Sequence, residues 1–143
     1  MSSAVELSLR LLRDQGYTVE SVEKWIQAIQ IRKDLYGFID LMAMGNGHIL
    51  AVQVCGDTKG SSSTSDYAKH VNKLKEPRIQ EALTKWLVNG GAFSMHTWSV
   101  TKCGSMKAYN LKESQPFIWP VSKGNSFKWK ESDTLNVFRK VRA

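Results

Sequence analysis

Two apolar runs on either side of a Gly-Asn-Gly turn are the feature of this sequence that most constrains its fold. The runs cover residues 36–44 and 48–55. Asn46-Gly47 is a dipeptide typical of a two-residue hairpin turn, and apolar runs of this length are typical of buried strands. The pattern therefore predicts a β-hairpin in which the numbers of paired residues sum to 93.

This register places one acidic and one amide side chain opposite each other, because Asp40 faces Gln53. A carboxylate within an apolar strand is costly to bury unless it is paired or binds a cation. Two interpretations follow. Asp40 hydrogen-bonds to Gln53 for purely structural reasons, or a magnesium ion is held by the Asp40 carboxylate, the Gln53 side-chain oxygen and the Val54 backbone carbonyl.

The segment before the hairpin predicts a helix and a strand. Ser3 and Glu6 match a capping box, apolar residues then follow a helical period, and Gly16 ends the helix. Residues 17–23 are rich in β-branched and aromatic side chains and predict a first strand, whereas residues 24–33 fit either a helix or a strand.

The segment after the hairpin predicts two helices followed by strands. A Gly/Ser-rich loop over 59–64 leads into a short helix from Ser65 or Asp66, and Pro77 begins a second helix that stops at the glycines after residue 88. Strands are predicted over 92–101 and, as short pieces, around Tyr109, 117–121 and 127–129. This order predicts an α/β fold, a single-domain α/β/α sandwich with a central mixed β-sheet.

The length and charge of the chain limit its partners. A chain of 143 residues is the size of one domain, and no apolar run approaches the length of a membrane span or signal peptide, so we expect one cytoplasmic domain over 1–143 with no membrane partner. Residues 1–57 hold five Lys/Arg against seven Asp/Glu, and residues 58–143 hold fifteen against six. The basic second half indicates a polyanionic partner.

The residues of the hairpin also carry a family resemblance. Gly37-Phe-Ile-Asp40, the turn, and Ala51-Val-Gln53-Val-Cys55 resemble the core of the PD-(D/E)xK nuclease superfamily, in particular phage proteins similar to archaeal Holliday-junction resolvases. The resemblance covers roughly residues 3–100 and leaves a basic, β-rich extension over about 101–143. It implies a restriction-endonuclease-like fold and a Mg²⁺- or Mn²⁺-dependent DNA endonuclease that acts on branched or structured DNA. A nuclease that cuts two strands is also expected to be a homodimer. If the protein is phage-encoded, we expect it in the cytoplasm of the host cell.

The resemblance also assigns roles to residues. Asp40 and Gln53 fit the metal-binding positions, and Glu6 fits an acidic position on the first helix, although the capping box gives Glu6 a purely structural alternative. The family expects a lysine where Cys55 stands, and a thiol cannot supply its fixed positive charge. Three lysines are candidates to replace it, each with the alternative of being a solvated surface residue: Lys59, Lys69 and Lys73.

Three functions are therefore open: a nuclease, a catalytically eroded DNA-binding module of the same fold, and a protein-interaction domain. For nucleic-acid binding, Lys128 and Lys130 alternate with two aromatic residues and predict a strand with one basic face. The same three lysines, Lys59, Lys69 and Lys73, are candidates for phosphate contacts. Asp34 either joins the acidic residues of the site or pairs with a neighbouring basic residue.

Overall fold

The structure, a computed structural model, describes residues 3–56, 63–103, 106–121 and 124–140. The side chains described within these ranges are those of residues 3–23, 26–30, 33–56, 68–101 and 108–116.

A six-stranded mixed sheet forms the centre of the molecule, in the order β1-β4-β5-β6-β7-β8. All neighbours are antiparallel except β5 and β6, which run parallel. A separate antiparallel hairpin is formed by β2 and β3. The strands are β1 Thr18–Ser21, β2 Lys24–Ile26, β3 Ile31–Lys33, β4 Leu41–Gly45, β5 His48–Gly56, β6 Ala92–Cys103, β7 Met106–Val121 and β8 Gly124–Lys140.

One face of the sheet is covered by α1, Ala4–Asp14. The capping box is confirmed, because Ser3 Oγ accepts from the Glu6 N–H at 3.2 Å and the Ser3 N–H donates to a Glu6 carboxylate oxygen at 3.3 Å. The apolar side of α1 packs on side chains that alternate along the strands. This core contains Leu7, Leu12, Val19, Leu41, Ala43, Leu50, Val52, Val54, Trp98, Tyr109 and Leu111.

The opposite face is covered by α2, Ser63–Leu74, and α3, Pro77–Val88, which connect the parallel strands β5 and β6. A crossover of this kind is what parallel neighbours require. Pro77 occupies the first turn of α3 as predicted, where its missing N–H costs no hydrogen bond. This second core contains Phe38, Ile39, Ala51, Cys55, Val71, Leu74, Ile79, Leu83, Phe93 and Met95.

The predicted α/β fold with a central mixed sheet and helices on both faces is confirmed. The hairpin register is confirmed from Gly45 opposite His48 to Leu41 opposite Val52, and each of these pairs sums to 93. No helix in the described part of the chain is long and apolar enough to cross a membrane.

The prediction that the first hairpin strand begins near residue 36 is wrong. Tyr36 and Gly37 have φ angles of 55° and 81°, which lie in the left-handed region and are incompatible with a strand. Residues 34–40 instead form a loop closed by a bridge between Leu35 and Ile39, and β4 begins at Leu41. Asp40 therefore lies immediately before the strand.

The predicted short strands of the C-terminal segment are also corrected. Residues 106–121 and 124–140 form two long paired strands that continue the central sheet rather than several short pieces. Tyr109 is buried, in agreement with a core role for this aromatic residue. The predicted basic face at Lys128 and Lys130 concerns side chains outside those that the structure describes.

Candidate metal centre

The loop over residues 34–40 positions two carboxylates beside the sheet. Phe38 and Ile39 are fully buried in the core under α2 and α3, so they anchor the loop. The backbone of Asp40 is fixed on both sides, since its N–H donates to the Val52 carbonyl at 3.0 Å and its carbonyl accepts from the Val22 N–H at 2.9 Å. Asp40 thus extends β4 by one residue and lies between Val22, which follows β1, and Val52 of β5.

Three carboxylates meet at this point, from Glu23, Asp34 and Asp40, and one oxygen of each lies within 4.8 Å of the others. The pairing of Val22 with Asp40 explains the presence of Glu23, which is the next residue along the chain. Carboxylate oxygens are the ligands that hard divalent cations prefer. The residue types fit a Mg²⁺ or Mn²⁺ ion.

The Asp40 carboxyl is 6% exposed and is strongly perturbed. Burial, together with the hydrogen bond and negative charge of Asp34, raises its pKa to about 8. The Val54 N–H, which donates to Asp40 Oδ2 at 2.8 Å, opposes this shift. Asp40 is therefore largely protonated at neutral pH in the metal-free protein. A bound cation would favour its ionised form.

Gln53 lies on the same face of the sheet as this cluster. Val52 and Val54 belong to the core under α1, and alternation along β5 directs the intervening Gln53 to the α2 and α3 side. Gln53 is completely buried, and neither its Oε1 nor its Nε2 has a hydrogen-bond partner among the described residues. A buried amide without a hydrogen-bond partner is costly unless a bound ligand interacts with its oxygen or nitrogen.

The purely structural interpretation of the two polar residues, in which Asp40 and Gln53 hydrogen-bond to each other, is wrong. Asp40 interacts with Val54 and Asp34 instead, and the Gln53 amide is unpartnered. The Val54 N–H donates to the Asp40 carboxylate. The prediction from the sequence instead made the Val54 carbonyl a metal ligand.

Of the three candidate lysines, Lys73 reaches the cluster. Its Nζ donates to Asp34 Oδ2 at 3.0 Å, and the two side chains are 39% and 13% exposed. Lys69, one turn earlier on α2, is exposed, and Lys59 lies outside the described residues. Asp34 therefore joins the acidic residues of the site and pairs with Lys73, which lies 39 positions later in the chain. The alternative of a pair with Arg32 concerns a side chain outside those that the structure describes.

Cys55 occupies the position where the family resemblance expects a lysine. It is 3% exposed, and its Sγ lies 3.0 Å from Thr97 Oγ1 on the neighbouring parallel strand. A thiol held in this way contributes no positive charge to the cluster.

Glu6 is not among the clustered carboxylates. Its side chain is exposed on α1, on the opposite face of the sheet from α2, and is used in the capping box. Glu23 takes part instead, although no local pattern in the sequence distinguished it. It ends a predicted strand, and only the long-range pairing of Val22 with Asp40 brings it to the site.

Comparison of the chain with family models, with curated proteins and with solved structures finds no match. The geometry of the carboxylate cluster is therefore the basis for assigning a function.

Proposed function

We propose that this protein is a metal-dependent DNA endonuclease with a restriction-endonuclease-like fold. The observation that carries the proposal is the carboxylate cluster of Glu23, Asp34 and Asp40, which has Lys73 at its edge. The unpartnered amide of Gln53 on the same face adds a further oxygen donor. The net charge of +7 is concentrated in the second half of the chain and suits a phosphate backbone.

Each group has a role in phosphodiester hydrolysis. Glu23, Asp34, Asp40 and Gln53 would hold the ion, Mg²⁺ or Mn²⁺, which would polarise a phosphate oxygen and activate water. The Lys73 ammonium would supply the positive charge that the thiol of Cys55 cannot, and would stabilise the charge that develops on the phosphate. Lys69 lies on the same face of α2 one turn away and would contact the neighbouring backbone phosphate.

The resolvase resemblance supports a narrower proposal, in which the substrate is branched or otherwise structured DNA. Cutting both strands of a junction needs two sites that face two backbones, so we propose a homodimer as the active form. Light scattering coupled to gel filtration measures the mass directly, and a monomer with full activity on junction DNA would contradict the dimer.

The test of the nuclease is a cleavage assay on labelled duplex, single-stranded and four-way-junction DNA, with Mg²⁺, Mn²⁺ or EDTA. Asp40→Asn replaces the carboxylate by an isosteric amide, and Asp14→Asn, at an exposed position on α1, is the matched control for charge. We expect cleavage that requires the metal, that falls by at least about 100-fold in Asp40→Asn and that persists in Asp14→Asn. Equal cleavage by wild type and Asp40→Asn would exclude this site.

A second function is favoured by one observation. The neutral Gln53 and the buried Cys55 weaken a catalytic centre, as expected of a DNA-binding module that no longer cuts. Binding that weakens steeply as salt rises, without cleavage in any metal, would support this alternative. DNA binding that is insensitive to salt would favour neither the nuclease nor the DNA-binding module, and would indicate a protein-interaction domain.

A further inference from the structure

A cavity of about 590 Å³ opens between α3 and the hairpin, separate from the carboxylate cluster. Its lining includes Tyr36, Ile49 and Trp86, together with three charged residues that we call its rim: Arg78, Glu81 and Lys85. This volume is in the range of pockets that bind small organic groups. Two aromatic side chains beside a rim with two cations and one anion suit a planar group that carries negative charge.

The Trp86 wall is fixed by its surroundings. Its Nε1 donates to the Ala92 carbonyl at 2.7 Å, and a side chain at Gly91 would overlap the indole ring. The absence of a Cβ at Gly91 therefore makes room for the ring. Tyr36, in contrast, is 63% exposed and lines the cavity, so its ring is accessible to a ligand that arrives from solvent.

The charges at the rim are unequal. Lys85 pairs with Glu81 at 3.2 Å, whereas Arg78 has no ion-pair partner among the described residues. Arg78 is exposed at the start of α3, and the adjacent Ile79 packs against Gly37 of the 34–40 loop. A free guanidinium beside aromatic walls suits a phosphate group attached to a base.

The cavity and the carboxylate cluster share one structural element. The 34–40 loop contributes Asp34 and Asp40 to the cluster and Tyr36 to the cavity. We infer that this cavity binds an unstacked nucleotide of the DNA substrate, with its base against Tyr36 and Trp86 and its phosphate at Arg78. This inference rests on the proposed function and adds to it a preference for DNA that contains an unpaired base next to the cut.

The binding test is carried out in EDTA, so it does not depend on cleavage. Fluorescence anisotropy compares a fully paired duplex with the same duplex carrying one unpaired 2-aminopurine, whose own fluorescence is quenched when it stacks. Wild type is expected to bind the second DNA on the order of 10-fold more tightly and to quench the 2-aminopurine. Tyr36→Ala and Tyr36→Leu should lose both effects, and Arg78→Gln should weaken binding of the unpaired nucleotide.

Two exposed residues that do not line the cavity provide matched controls. Ile29→Ala removes an exposed apolar side chain from the turn between β2 and β3, and Arg13→Gln removes one charge from α1 on the opposite face. Both variants should keep the preference. A preference that survives in both Tyr36 variants, or a wild type that binds the two DNAs equally, would overturn the inference.

The two proposals can fail separately. Preference for the unpaired nucleotide in EDTA, without cleavage when Mg²⁺ or Mn²⁺ is added, would support the cavity and contradict the nuclease. Metal-dependent cleavage that is lost in Asp40→Asn, with no preference and no quenching, would support the nuclease and contradict the cavity.

Discussion

Lys73 of α2 donates a 3.0 Å hydrogen bond to Asp34, a residue 39 positions earlier on the loop before β4. This contact connects α2 to the carboxylate cluster at the start of β4. It also brings a positive charge to a site whose strand offers only Cys55 at the expected lysine position. Of the two candidate lysines that the structure describes, Lys69 and Lys73, this pairing favours Lys73.

The first prediction concerns this lysine. Lys73→Met should lower the rate of metal-dependent cleavage by about 100-fold, because it removes a positive charge that contacts the cluster. Lys73→Arg keeps the charge and should recover part of the rate. Lys69→Met, on the exposed part of the same helix, should lower the rate much less; equal losses for Lys69→Met and Lys73→Met would indicate general phosphate binding instead.

The second prediction concerns the pH dependence of stability at Asp40. Its folded-state pKa of about 8 lies above the ordinary value of 3.8, so the folded protein binds more protons between these values. The stabilisation is complete below pH 3.8 and is lost as the pH rises through 8. In EDTA, wild type should therefore lose at least about 1 kcal/mol relative to Asp40→Asn between pH 5 and pH 9.

Urea unfolding at several pH values measures this difference. Asp14→Asn removes an exposed carboxylate on α1 and is the control, with no comparable trend expected. Parallel curves for wild type and Asp40→Asn at all pH values would contradict a buried, protonated Asp40. The same variant should then lose metal binding while gaining stability at alkaline pH.

The third prediction concerns acid stability and His96. The imidazole is buried, and burial lowers its pKa from 6.5 to about 4. Its Nδ1 lies 2.9 Å from Ser8 Oγ, which also accepts from Trp98 Nε1 at 2.8 Å. The unfolded chain binds the proton more readily, so this contribution is complete above pH 6.5 and is lost as the pH falls toward 4, by at most about 3 kcal/mol.

His96→Asn keeps an acceptor near Ser8 without a titrating ring and should flatten the stability curve between pH 6.5 and pH 4. His48→Gln is the control, since His48 is exposed and bonds through Nε2 to the Tyr17 hydroxyl at 2.7 Å. An unchanged slope in His96→Asn would mean that other groups dominate acid unfolding.

The fourth prediction separates backbone strain from steric overlap at two glycines. Gly47 and Gly56 have φ angles of 86° and 109°, but only Gly56 is crowded, because an added Cβ would overlap the Trp98 backbone. Gly47→Ala should cost about 1–2 kcal/mol of unfolding free energy from conformation alone. Gly56→Ala should cost about 3 kcal/mol or more, since the parallel strands β5 and β6 must separate. Equal costs in urea unfolding would contradict the close approach.

The hairpin shows how far local sequence determines structure. The Asn46-Gly47 turn and the apolar runs fixed the register from Gly45 to Leu41, because a two-residue turn leaves one pairing that keeps the apolar faces aligned. The capping box at Ser3 and the start of α3 at Pro77 were likewise predictable, since each depends on residues within one helical turn. Asp40 and Gln53 were also identifiable from the sequence, because each is a polar residue within an apolar run.

The composition of the site depended on the tertiary structure. Glu23 and Asp34 reach Asp40 only because β1 pairs with β4 and the 34–40 loop folds back, and neither event has a local signature. Lys73 joins them because α2, which is part of the crossover between β5 and β6, packs on the same face of the sheet as the 34–40 loop. Local sequence determined which elements form, since turns and caps act over a few residues; the long-range packing decided which charged side chains meet, because contacts between distant segments depend on how all the layers fit together.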